Sequence, residues 1–126
     1  DYIVMNAAVA DYKPKNISKG KLKKNTEKLA IDLEPTVDIL NYIQDKTEAC
    51  LIGFALEMEN CEKNALDKMQ KKNLDFIVLN TANNRDQGFD VDTNQVTIFT
   101  SLGKRYQSDI DTKERIANFM WERIID

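Results

Sequence analysis

The chain has 126 residues, 42% of them hydrophobic and 31% charged, with a formal net charge of −3 and no histidine. Its length suits one domain, and no apolar run approaches the roughly 20 residues that a membrane span needs. The lack of histidine removes Ser-His-Asp triads, histidine general bases and histidine-ligated zinc in one step.

No signal-peptide pattern is readable. The chain begins Asp-Tyr-Ile-Val-Met and enters a strand at once, which reads as a piece of a longer protein. The two cysteines, Cys50 and Cys61, lack metal-ligand spacing and read as free thiols in a reducing cytoplasm.

In chain order, residues 2–9 (YIVMNAAV) are mostly apolar and predict a strand buried on both faces, as in a parallel sheet. Residues 11–28 form a polar connection containing Pro14 and Gly20. Residues 29–33 (LAIDL) alternate and predict a strand with one polar face. Residues 36–47 predict a helix whose stripe is Val37, Leu40 and Ile43, with Ile39 beside it. Residues 50–55 (CLIGFA) predict a second buried strand. Residues 58–73 predict a helix with Cys61, Ala65, Leu66 and Met69 inward, and residues 75–79 (DFIVL) a third strand.

A polar loop follows Asn80. Residues 95–100 and 104–108 then predict a hairpin turning at Ser101-Leu102-Gly103. Asp111-x-x-Glu114 has the spacing of a capping box and opens a last helix with Ile116, Phe119, Met120 and Ile124 inward. Buried strands alternating with helices predict an α/β, Rossmann-like three-layer fold with a mostly parallel sheet, a lysine-rich flap and a C-terminal β-hairpin plus helix.

In such sheets ligands sit beyond the carboxyl ends of the strands. The three ends of interest are Asn6–Tyr12, Phe54–Glu57 and Asn80. Directly after the first, Lys13, Lys15, Lys19, Lys21, Lys23, Lys24 and Lys28 crowd into one segment that holds a single acidic residue, Glu27. A field of this sign suits an anionic ligand; composition alone leaves a solvated basic loop equally open. Neither GxGxxG nor GxxxxGK[ST] occurs. Phosphates are therefore held by lysines, or their glycine-rich cradle lies upstream.

AAVADYKP, KGKLKK, the DIL helix start, GFALE, KKNLDFIVLN and GFDVDTNQVTI occur in that order. Together they resemble the carboxy-terminal portion of phosphopantothenoylcysteine synthetase, over about Asp1 to Ile125. The resemblance implies a ligase of coenzyme A biosynthesis that joins 4′-phosphopantothenate to L-cysteine through an acyl-cytidylate, with CTP as co-substrate and Mg2+. It also implies a homodimer with each flap reaching toward the partner's site, and a fused or partner flavin decarboxylase domain.

It further implies residue roles. Lys21 matches the essential flap lysine, with Lys23 and Lys24 adding field. Met5, Asn6, Ala7, Asp11, Val37, Asp38, Ile39, Leu40, Phe54, Lys68 and Lys72 match nucleotide-site positions, and Ala8 and Asn80 fall to the substrate side. Whether Asp11 meets ribose, base or a cation stays open. Taken alone, Lys68 and Lys72 at i, i+4 also fit a solvated helix face. Asp90, Asp92 and Asn94 read as turn residues, and no metal-ligand set is assigned.

Thr-Val-Asp-Ile-Leu stands where some members of the family have Asn-Pro-Asp-Ile-Val, and Met58 stands where many relatives carry Thr. The family's amino-terminal GGT strand end and Asn-x-Ser-Ser-Gly segment are missing. Residues 1–126 are therefore expected to be the C-terminal portion of the synthetase domain, with little or no complete ligase activity alone. The rival readings are the same ligase using ATP, or a non-catalytic nucleotide-binding or dimerisation module. Nucleic-acid binding is disfavoured because Tyr12 is the only aromatic near the lysines, and no membrane association is expected.

Overall fold

The computed structural model describes residues 1–22, 28–81 and 93–125. Its elements in chain order are β1 (Tyr2–Met5), β2 (Tyr12–Pro14), β3 (Leu33–Pro35), α1 (Ile39–Ile43), β4 (Cys50–Glu57) and α2 (Cys61–Lys71). There follow β5 (Phe76–Thr81), β6 (Thr93–Asn94), β7 (Val96–Thr100), β8 (Arg105–Gln107), β9 (Asp111–Thr112) and α3 (Lys113–Ile125). Lys23, Lys24, Asp90 and Asp92 lie outside the described residues.

One five-stranded sheet runs in the order β1-β4-β5-β7-β8. β1, β4 and β5 are parallel, while β7 and β8 add the expected C-terminal hairpin in the antiparallel sense. The sheet is thus mixed around a parallel core, and the α/β reading holds.

Alternation along the strands feeds two cores. Leu51, Ala55, Ile77, Leu79 and Phe99 face α2, meeting Ala65 and Met69, with Leu40 and Ile43 of α1 alongside. Ile52, Val78, Val96 and Ile98 face the opposite way onto Ile116 and Ile124 of α3, flanked by Phe119 and Met120. Helices on both faces make three layers. Fully buried residues such as Ile52, Ile77, Val78 and Ile98 each contribute about 1.5–3 kcal/mol by leaving water. Gly53 is required by this packing. A Cβ there would stand 2.5 Å from Leu74 Cδ1.

Several boundaries differ from expectation. β1 ends at Met5, where its pairing with β4 stops at Met5↔Gly53. It is an edge strand rather than one buried on both faces: Tyr2 and Val4 are 46% and 41% exposed, and Tyr2 forms a T-shaped pair with Trp121, the ring centroids 5.8 Å apart.

The strand expected at 29–33 lies at Leu33–Pro35 instead. There it pairs with β2, Lys13 opposite Glu34 with an ion pair of 3.3 Å. The alternation in LAIDL presumed a core face, but Leu29, Ile31 and Leu33 are all exposed.

α1 is shorter than 36–47 because Asp38 has extended backbone and caps at Ile39, its carboxylate accepting from Asn41 N–H at 3.2 Å. Val37 is outside the stripe and 68% exposed. α2 starts at Cys61 because Asn60 takes left-handed backbone (φ 48°), and Leu66 is exposed rather than inward. α3 is capped by Thr112 rather than Asp111. The Thr112 hydroxyl accepts from Arg115 N–H at 3.4 Å, while Asp111 accepts from Thr112 N–H at 2.8 Å.

Candidate functional site

Beyond Met5 the chain leaves the sheet, so residues 6–10 turn over the carboxyl ends of β4 and β5 instead of extending β1. A cleft of about 660 Å³ opens there. The β1 end supplies Met5–Val9 and Asp11 to it, and the approach to α1 supplies Thr36–Leu40. Phe54–Leu56 of β4, Lys68 and Lys72 from α2, and Asn80 of β5 complete the wall. The three strand ends singled out in the sequence therefore converge.

α2 packs its Ala65–Met69 stripe on the sheet, which turns positions 68 and 72 toward the strand ends. Lys68 Nζ donates to the carbonyl oxygen of Phe54 at 2.6 Å. Lys72 forms an ion pair with Asp38, its side chain only 20% exposed. Each of these two lysines is thus engaged by another element of the fold. Lys72 is also the C-cap of α2, an end that favours a cation.

The opposite wall is tied by Thr36. Its hydroxyl donates to the carbonyl oxygen of Ala10, and its N–H donates to that of Asp11 at 2.8 Å. Two lysines and two aspartates thus face one cleft, set among apolar side chains from Phe54 and Ile39. The arrangement can take a ligand with anionic and planar apolar parts.

Every nucleotide- or substrate-site residue named from the sequence lines this cleft except Lys21. Lys21 is exposed in the loop after β2, one residue past the turn in which the Ser18 hydroxyl donates to Gly20 O at 2.8 Å. Val9, Ala55 and Leu56 also line the cleft, within the strand ends singled out from the sequence though not named there as site residues, and Thr36 lines it without having been anticipated. Thr36 had a signal, since it sits two residues before the Asp38 cap.

A second cavity, about 550 Å³, lies at the amino ends of β4 and β5, lined by Cys50, Asp75, Phe76, Lys104, Tyr106 and Arg123 among others. Burial, then the neighbouring Asp75 carboxylate, pushes the Cys50 thiol up, which makes it a poor nucleophile.

The whole chain, residues 1–126, matches the family DFP, described as the DNA/pantothenate metabolism flavoprotein C-terminal domain. The chain belongs to this family. It is 40% identical over 114 residues to the coenzyme A biosynthesis bifunctional protein CoaBC of Bacillus subtilis (strain 168), covering 90% of this chain and 28% of that protein. It is 35% identical over 127 residues to a cysteine/cysteine sulfinic acid decarboxylase from an unknown prokaryotic organism, covering 99% of this chain and 35% of that protein.

Among solved structures, the C-terminal domain of CoaBC superposes with a TM-score of 0.73 at 32% identity, over 98% of this chain and 53% of that one. The chain thus spans about a third of these curated relatives and half of the solved domain.

Proposed function

We propose that this chain is the nucleotide-handling part of a phosphopantothenate–cysteine ligase of coenzyme A biosynthesis, using CTP. The observation that carries the reading is the convergence of Met5–Ala7, Asp11, Val37–Leu40, Phe54, Lys68 and Lys72 on one cleft. The relationship to CoaBC supports it.

The carboxylate of 4′-phosphopantothenate attacks the α-phosphorus of CTP, and the bond to the β-phosphate breaks. Pyrophosphate leaves and an acyl-cytidylate remains. The amine of L-cysteine then attacks the acyl carbon, CMP departs and the amide forms. A carboxylate is already ionised near pH 7, so the first step needs no general base.

Lys68 and Lys72 hold the β- and γ-phosphates. Lys21, brought over the site by the flap of this chain or of a second copy in a homodimer, stabilises charge accumulating at the α-phosphorus. Phe54 and the 37–40 backbone frame the base, Asp11 lies at the nucleotide, and Ala8 and Asn80 contact the acid substrate. Among the described residues no three His, Cys, Asp or Glu groups converge to hold a metal. Mg2+ enters with the triphosphate, because triphosphates are usually handled as metal complexes.

The reading follows CoaBC rather than the decarboxylase relative because CoaBC is the more identical, 40% against 35%, and the solved C-terminal domain of CoaBC superposes on 98% of this chain.

Calorimetric titration of CTP with magnesium, beside ATP and with Lys21→Gln as the variant, tests the proposal. CTP binding tighter than ATP, weakened by Lys21→Gln, is the expected result. Equal affinity for the two nucleotides, or no binding of either to a chain restored to CoaBC length, overturns it.

A further inference from the structure

We propose that Asp38 is a positioning residue that competes with the anionic ligand for Lys72, holding its ammonium in a paired state until the ligand takes it. The inference rests on the anion-binding reading of the cleft and adds what regulates its charge.

Asp38 divides its carboxylate. Oδ1 accepts from Asn41 N–H at 3.2 Å and so caps α1, while Oδ2 engages Lys72 Nζ. Lys68 is committed to the Phe54 carbonyl oxygen, and the remaining charged group on the cleft wall is Asp11. Among the described residues lining the cleft, two ammoniums face two carboxylates. An anion that is to pair with Lys72 must therefore displace the Asp38 carboxylate from it.

Asp38 is the partner able to yield. Its side chain is 43% exposed against 20% for Lys72, so water can replace the ammonium at the carboxylate more readily than it can replace the carboxylate at the ammonium. Asp38 also keeps its capping bond through the exchange, which costs α1 nothing. A ligand phosphate, with more charge and more acceptor oxygens than a carboxylate, then pairs with an ammonium already aimed into the cleft. Asp38 thereby raises the threshold for weak anions and keeps Lys72 extended for strong ones.

Asp38→Asn retains an oxygen acceptor for Asn41 N–H and removes the charge; Asp38→Ser, also a good cap, guards against a folding defect particular to Asn. Two readouts apply to the intact chain. In acetylation by N-hydroxysuccinimide acetate, read by peptide mass spectrometry, Lys72 reacts about three- to tenfold faster in both variants, the scale of one partly screened ion pair, while Lys63 and Lys71 keep their rates. In calorimetric titration with inorganic pyrophosphate, both variants bind about three- to tenfold more tightly, by the same pair's loss.

Unchanged Lys72 labelling, or pyrophosphate affinity that is unaltered or weakened, overturns the proposal. Pyrophosphate binding absent in the wild type and gained in the variants supports it; binding absent in all three overturns it. Failure of the nucleotide reading is separable: CTP binding no better than pyrophosphate would count against base recognition while leaving the Asp38 result standing.

Discussion

The Lys68 ammonium donates to the Phe54 carbonyl oxygen at 2.6 Å, joining the last turn of α2 to the part of β4 that frames the cleft. The bond uses one of three ammonium protons, so Lys68 is anchored and keeps two donors for a ligand in the proposed role. Lys68→Gln is expected to weaken binding of magnesium–CTP by roughly ten- to a hundredfold, the equivalent of the roughly 1.5–3 kcal/mol carried by a hydrogen bond to a charged group. Stability is expected to change by under about 1 kcal/mol. Calorimetry alongside urea unfolding reads both.

Gly53→Ala places a methyl 2.5 Å from Leu74 Cδ1, inside the buried core formed by Leu51, Leu74 and Ile77. Overpacking of this kind costs about 1–3 kcal/mol. The urea midpoint should fall accordingly, and Leu74→Val in the same chain should restore part of the loss, since the clash is with the atom that change withdraws.

Thr112 and Asp111 are distinguishable caps. Thr112→Ala removes the acceptor for Arg115 N–H and is expected to cost about 1 kcal/mol. Glu114→Ala should cost less than half as much. Thermal unfolding followed by circular dichroism decides between the observed cap and the capping box expected from the sequence.

The Cys50 thiol is raised by burial first and by Asp75 second, so the fold favours its protonated form. Its contribution is complete below the unfolded cysteine's value near ~8.5 and is lost as pH rises through the raised folded value. Unfolding free energies measured at pH 7.5 and 9.5, on the two sides of about that unfolded value, should fall more in the wild type than in Cys50→Ala. An equal fall in both chains would contradict the raised thiol.

The parts of this fold most legible in the sequence were the strands buried against both cores. CLIGFA, DFIVL and the Val96–Thr100 run each became a strand of the main sheet because Ile52, Ile77 and Ile98 enforce the period. LAIDL had the same alternation and no core beneath it, so cross-strand pairing with Tyr12–Pro14, not hydropathy, chose the register. β1 read as doubly buried because composition does not reveal an edge.

In the site, Lys68 and Lys72 read equally as a solvated face until α2 was placed on its Ala65–Met69 stripe. The Asp38 ion pair had no local signal at all, since its members stand far apart in the chain and meet only through tertiary packing.

The placement of Lys68 and Lys72 on the same helix as Ala65 and Met69 bears on which length changes the chain tolerates. An α-helix turns about 100° per residue. One residue inserted between Met69 and Lys72 would leave the apolar stripe intact and swing Lys72 away from the strand ends, breaking the spacing of the two ammoniums. Substitution on the outer face of this helix is therefore permissible where a single-residue insertion or deletion is not, and natural variation in the segment should preserve its length more strictly than its letters.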